Sequence, residues 1–210
     1  MASDVASGAR VTAELPSVDA LWLDTLQRIC TRAAHELKGA LNGVSVNLEV
    51  VRSRSERSTS PASSVAKFAS SATDQLGMVI AMADALLSLA RPAREPVDIG
   101  AILRRLEALL ASAARADGHR FELRGSIDEI GVTSAIGNAA RMVLGSSLLA
   151  ALDASSDVEC DVRSGAPAVV RIECCDGTAP TLDADVIAVA AEQGIALRAE
   201  SSVISISFPR

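Results

Sequence analysis

His35, Glu36 and Lys38 stand close together in the chain, with Arg28 and Arg32 upstream and Asn42 downstream. Arg28, Thr31, Arg32, His35, Lys38, Asn42 and Glu49 recur at helical spacing. That spacing places the imidazole on the solvent face of a helix, with cations within about two turns. An exposed neutral imidazole is a nucleophile, and neighbouring cations suit a phosphoryl group in transfer. Glu36 is placed to hold the ring tautomer or to take its proton. Lys38, with Arg28 or Arg32, is placed to neutralise phosphoryl oxygens, and Asn42 extends the same strip toward a partner. Taken singly, each cation also reads as a solvated helix face, and a lone exposed histidine as a surface residue.

The helix that must carry these groups is written in its apolar positions. Leu26, Cys30, Ala33, Leu37, Ala40, Val44, Leu48 and Val51 follow steps of three and four, one long buried seam. A first helix is predicted from about Ser17 to Val51, reaching toward Arg54. It is far longer than an ordinary globular helix, which points to a bundle. Residues 1–16 are small and polar and read as a disordered tail. Arg52–Ser60 reads as a turn, and Ser60-Pro61 as the cap and first residue of a second helix. That helix carries Val65, Phe68, Ala72, Leu76, Val79, Ala83, Leu86 and Ala90 in near-heptad steps and stops at Arg91-Pro92. Two antiparallel helices cannot bury both seams against one another. Two copies forming a four-helix bundle can, so a homodimer is predicted, with one His35 on each side.

Composition narrows the class. With 49% hydrophobic and 22% charged residues, the chain fits a soluble globular protein. A net charge of −6 argues against nucleic-acid binding, which needs a basic surface. Cys30, Cys160, Cys174 and Cys175 show no metal-ligand spacing and read as free thiols in a reducing compartment. The start, MASDVASGAR, lacks a basic-then-apolar leader, and the apolar run Leu76–Ala90 is too short to span a bilayer. A cytoplasmic protein with no membrane contact is expected.

Beyond a hinge at Pro92–Pro96 the pattern changes to mixed α and β. Asp98 caps a third helix that ends before Gly118. His119–Arg124 alternates as a strand, with His119 in a structural role, and Ser126–Thr133 is a candidate short strand. Ile136–Ala154 is helical, Val158–Val162 and Ala168–Cys174 are strands, and Asp183–Glu192 is a helix. Ile195–Ala199 and Ser202–Phe208 form a final hairpin. The fold class is α+β: a two-helix hairpin over 17–92, then an α/β sandwich over 97–210 with helices on one face of a mixed sheet.

The segment HELKGALN, residues 35–42, resembles the H box of bacterial sensor histidine kinases: His, Glu or Asp, Leu, Lys or Arg, a polar residue, Pro, Leu. His35, Glu36, Leu37, Lys38 and Leu41 match, while Gly39 and Ala40 replace the polar residue and the Pro. The resemblance implies that His35 carries a phosphoryl group and that Glu36 assists as a base. In many such kinases the polar residue four positions past the His orients water for dephosphorylation. Gly39 has no side chain to do so, so the phosphoryl group is expected to be passed on rather than lost to water. Leu86–Arg91 resembles the close of the second dimerisation helix of the same family.

The order of elements after the hairpin resembles the ATP-binding domain of these kinases, with its chemistry removed. RMVLGSSLLAALDA, residues 141–154, resembles the N box, where the second of two Asn holds Mg²⁺. Ser146 and Ala150 stand at those places, and Ala has no oxygen for a hard cation. IECCDGTA, residues 172–179, resembles the first glycine box, whose Asp binds the adenine amino group. Cys175 stands there, followed by Asp176 and Gly177, and a thiol is a weak acceptor. Shifting the register recovers Asp176 but displaces Gly177 from its place. Between Pro180 and Asp185 there is no Gly, so the lid of the second glycine box is missing.

The resemblance therefore implies a dimeric histidine phosphotransferase. It would accept phosphoryl on His35 from one response-regulator receiver domain and pass it to another, without binding ATP. It would need no cofactor of its own, since the receiver supplies the Mg²⁺. Two alternatives stay open. One is a pseudokinase-type module that docks receivers, or caps a sensor histidine kinase, without chemistry. The other is a divergent active kinase that uses Asp176.

Overall fold

The computed structural model describes residues 15–57, 62–165 and 167–209. Helix α1 spans Val18–Ser55 and α2 spans Ala62–Ala90. Then follow β1 (Pro96–Asp98), α3 (Ile99–Ala116), β2 (Arg120–Gly125), a 3-10 turn (Ile127–Glu129), β3 (Val132–Ile136) and α4 (Gly137–Ala154). The chain closes with β4 (Asp157–Arg163), β5 (Ala168–Cys174), α5 (Ala184–Glu192), β6 (Ala196–Glu200) and β7 (Val203–Phe208). The architecture is α+β.

Local chemistry starts the helices where the sequence marks them. Ser17 caps α1, its hydroxyl accepting from the Ala20 amide at 3.2 Å. Asp98 does the same for α3 from Ala101, and Asp183 for α5 from Asp185. Helix α4 has no side-chain cap. It begins directly from β3, and a Cβ at Gly137 would meet that of Ala93 at 2.6 Å, so only glycine fits the turn. The Ser60-Pro61 start proposed for α2, and residues 1–14 of the tail, lie outside the described residues.

The five-stranded sheet has the order β2-β4-β5-β7-β6. The β2–β4 pair is parallel and the rest are antiparallel. Its period-two alternation separates two faces. Val158, Cys160, Val162, Val170, Ile172, Cys174, Ile204, Ile206 and Phe208 are buried beneath α3, α4 and α5. The opposite face carries charge. Arg120 pairs with Asp157 and Glu159, Arg124 with Glu122 and Glu159, and Arg171 with Glu173.

Several expectations are corrected. Ser126–Thr133 holds a 3-10 turn rather than a strand, and β3 begins only at Val132. Pro96, assigned to the hinge, opens β1 and pairs with Ile136 of β3. In α2 the buried positions are Ala72, Met82, Ala85 and Leu89, whereas Leu76 and Ala90 of the expected seam are exposed. The helix thus has two apolar faces: one packs on α1 and α3, the other presents Leu76, Ile80 and Leu87 to solvent. Leu48, assigned to the α1 seam, is also exposed. Finally, Val65–Ala90 is long and apolar enough to cross a membrane by length and composition, with mean hydropathy 1.2. The shorter run Leu76–Ala90 understated it. Lys67, Asp74 and Asp84 interrupt this stretch.

Candidate functional site

Helix α1 presents its polar strip to solvent because its other faces are taken by α2, α3 and α4. His35, Lys38 and Asn42 are all exposed and make no side-chain hydrogen bond or ion pair among the described residues. The imidazole is therefore open to a partner, with the Lys38 ammonium unneutralised one turn above. Glu36 is half-buried and turned to α3, where the Ser112 hydroxyl donates to its Oε2 at 3.4 Å. Its carboxylate does not bond His35.

Arg28 and Arg32 are not free. Arg28 Nη2 lies 3.0 Å from one oxygen of Asp153, and Arg32 Nη1 lies 2.9 Å from the other. Asp153 sits in the last turn of α4, so one carboxylate on the α/β unit grips two cations one turn apart on the helix that carries His35.

Below these ion pairs the two helices are in close contact. Trp22, Thr25, Ile29 and Ala33 are the buried residues of α1. Trp22, Thr25 and Ile29 face α4 at Gly145, where a Cβ would meet Thr25 Cγ2 at 2.8 Å and Ile29 Cδ1 at 3.2 Å. The Thr25 and Ser146 hydroxyls share a buried hydrogen bond of 2.8 Å. Ser146, the position aligned with the first N-box Asn, is thus engaged by α1. Beside it a cleft of about 460 Å³ is lined by Leu21, Asp24, Arg28, Ala150, Thr178 and Asp183, among others. Ala150 brings a methyl group to this cleft where the resemblance would place a metal ligand.

Cys175, Asp176 and Gly177 lie on an exposed turn that does not line this cleft. The Thr178 amide donates to Asp176 Oδ1 at 3.0 Å, and that bond holds the carboxyl below the usual range. Gly177 adopts a left-handed φ of 80°, which glycine tolerates. The Cys175 thiol is exposed, Cys30 is half-buried, and Cys160 and Cys174 are buried; all four are free. His119 is half-buried just before β2, with Nδ1 unpartnered. No group of three or more His, Cys, Asp or Glu among the described residues is placed to hold a metal ion.

Sequence reasoning missed two residues that organise the site, Asp153 and Arg141. Arg141 is 5% exposed inside α4. Its guanidinium donates to the carbonyls of Ser88 at 3.3 Å and Leu89 at 3.2 Å, and to that of Arg91. These are the orphan carbonyls at the end of α2, and a cation there also meets the negative end of the helix dipole. Burial, and then Arg105, pull its pKa below the ordinary value. Asn138, one turn earlier, donates to Asp19 of α1 at 2.8 Å and accepts from the Ala93 amide at 3.2 Å. Helix α4 is thereby bolted to both arms of the hairpin. A signal was present: Arg141 is the one charged residue between Gly137 and Leu152 of a largely apolar helix.

No family model and no curated protein matches the chain. Among solved structures it is similar to the histidine kinase AdeS of Acinetobacter baumannii, with a TM-score of 0.42 and 12% identity, over 83% of this chain and 97% of that one. It is also similar to the EL346 blue-light activated histidine kinase of Erythrobacter litoralis, with a TM-score of 0.37 and 15% identity, over 79% of this chain and 63% of that one.

Proposed function

We propose that this chain is a phosphorelay histidine phosphotransferase acting through His35. The observation that carries the reading is the state of α1: an exposed, unpartnered imidazole with Lys38 free beside it, on a helix that also engages Ser146 through Thr25. One ring nitrogen attacks the phosphorus of a receiver's aspartyl phosphate. An N–P bond forms as the P–O bond to the carboxylate breaks, and the carboxylate leaves with the electron pair. The ring N–H proton then passes to water. The carboxylate of an acceptor receiver reverses these steps. Lys38 neutralises phosphoryl oxygens in both directions.

In this reading the receiver supplies the metal, and the α/β unit supports the hairpin instead of feeding it. Ala150, Cys175 and the Thr25–Ser146 bond argue against nucleotide as the phosphoryl source. The exposed apolar face of α2 belongs to a second copy, completing a four-helix bundle, and the protein acts in the cytoplasm.

The test is phosphorylation by phosphoramidate, a small-molecule donor, compared with MgATP. We expect acid-labile labelling from phosphoramidate that His35→Gln abolishes, and none from MgATP. Labelling by MgATP would restore a kinase. A His35→Gln chain that keeps full relay output in cells would favour a docking module without chemistry.

A further inference from the structure

Asp153 holds Arg28 with one carboxylate oxygen and Arg32 with the other. Arg32 lies three residues before His35 and Arg28 seven, roughly 4.5 and 10.5 Å along the helix axis. Both point to the same side as the imidazole. Helical side chains lean toward the N-terminus, so the His35 ring overhangs the turn that carries Arg32. The anchor belongs to α4, the helix that also holds Thr25 through Ser146.

While His35 is unmodified, one carboxylate serves two guanidiniums, and the cluster has an excess positive charge. A phosphoryl group on His35 brings a charge of roughly −1.5 to −2 and three acceptor oxygens. Two anions then compete for two cations, and Arg32 is the one within reach of both. Its pair with Asp153 is partly solvent-exposed, at 21% and 50%, so exchanging partners costs little.

We propose that Asp153 is a positioning residue for His35. It holds Arg32 below the unmodified imidazole and surrenders it to the phosphoryl group, which couples the state of His35 to the α1–α4 contact. This rests on the phosphotransferase reading. Because coupling is reciprocal, Asp153 also lowers the affinity of His35 for phosphoryl and raises its tendency to pass it on.

The experiment is a double-mutant cycle on the full chain, labelled at fixed phosphoramidate and ammonium concentrations. Asp153→Asn is expected to raise the ratio of labelled to unlabelled His35 by about two- to fivefold, the scale of an exposed charge pair. Arg32→Gln is expected to lower it. In the Arg32→Gln background, Asp153→Asn should do nothing; with Arg32 present, Asp153→Glu, which keeps the carboxylate, should leave the ordinary ratio in place. A merely structural Asp153 would not produce this dependence on Arg32. An unchanged ratio in Asp153→Asn, or the same gain with and without Arg32, overturns the proposal. A wild-type chain that takes no label at His35 overturns the phosphotransferase reading as well, whereas a labelled wild type with a silent Asp153→Asn overturns only the coupling. Thermal melts of each variant separate these results from unfolding, and Asp153→Ser carries the same cycle if asparagine unsettles α4.

Discussion

Thr25 of α1 and Ser146 of α4, 121 residues apart in the chain, share a buried hydroxyl–hydroxyl bond of 2.8 Å. It lies beside a point of tight packing. A Cβ at Gly145 would stand 2.8 Å from the stiff β-branched side chain of Thr25. Gly145→Ala should therefore pry the two helices apart and cost about 1–3 kcal/mol, an overpacking penalty, despite alanine's better helix propensity. Urea denaturation measures it, and a variant as stable as the parent would show that the contact yields easily.

Arg141→Met removes the donors that satisfy the last carbonyls of α2 while keeping much of the side-chain volume. Buried carbonyls left without partners, together with lost charge-assisted bonds, should cost about 3 kcal/mol. For a chain of this size that lowers Tm by roughly 6–12 °C. Calorimetry checks this, and amide exchange should locate the loosening at Ser88–Arg91.

Cys160 offers a pH test. Burial pushes its thiol from 9.0 up to about 12. The folded chain keeps this proton where the unfolded chain releases it. The stabilisation is therefore complete below pH 9 and is lost as pH rises toward 12. Stability of the wild type should fall along that alkaline limb, and Cys160→Ala should flatten the fall while lowering stability at neutral pH. Parallel alkaline limbs in the two proteins would refute the assignment.

Leu76, Ile80 and Leu87 are exposed on one face of α2. If a second copy covers them, Ile80→Lys with Leu87→Glu should give monomers in sedimentation, with the far-ultraviolet spectrum little changed. A wild type that is already monomeric would remove the four-helix bundle.

Gly39 looks onto open space: a Cβ there would have no neighbour within 4 Å. Gly39→Asn therefore fits without strain and places an amide one turn past His35. If His35 carries a phosphoryl group as proposed, this variant should shorten the lifetime of the phosphohistidine by orienting water. A lifetime that is unchanged or longer would show that the missing side chain is not what protects the phosphoryl group.

What the sequence disclosed follows the range of each signal. Periodicity and caps are local, so α1, α3, α4, α5 and the strands β4 to β7 were legible from Ser17, Asp98, Asp183 and the alternation of the strands. Strand β1 was not, because three residues beginning with proline carry no period and exist only by pairing with β3. His35, Lys38 and Asn42 could be placed on an open face from spacing alone. The engagement of Arg28 and Arg32 by Asp153 could not, because it joins residues more than a hundred positions apart. The seam of α2 was misjudged because a helix apolar on two sides fits either register, and only the position of α3 chooses between them.

The outer face of the sheet has a bearing on assembly. Arg120, Glu122, Arg124, Asp157 and Glu159 lie there as an alternating lattice of charge, each satisfied by a neighbour. Another protein lying flat on these groups would have to strip water from every one of them, and each already has its opposite charge beside it. Covering that part of the sheet would cost desolvation, whereas His35 at the helical end is already exposed.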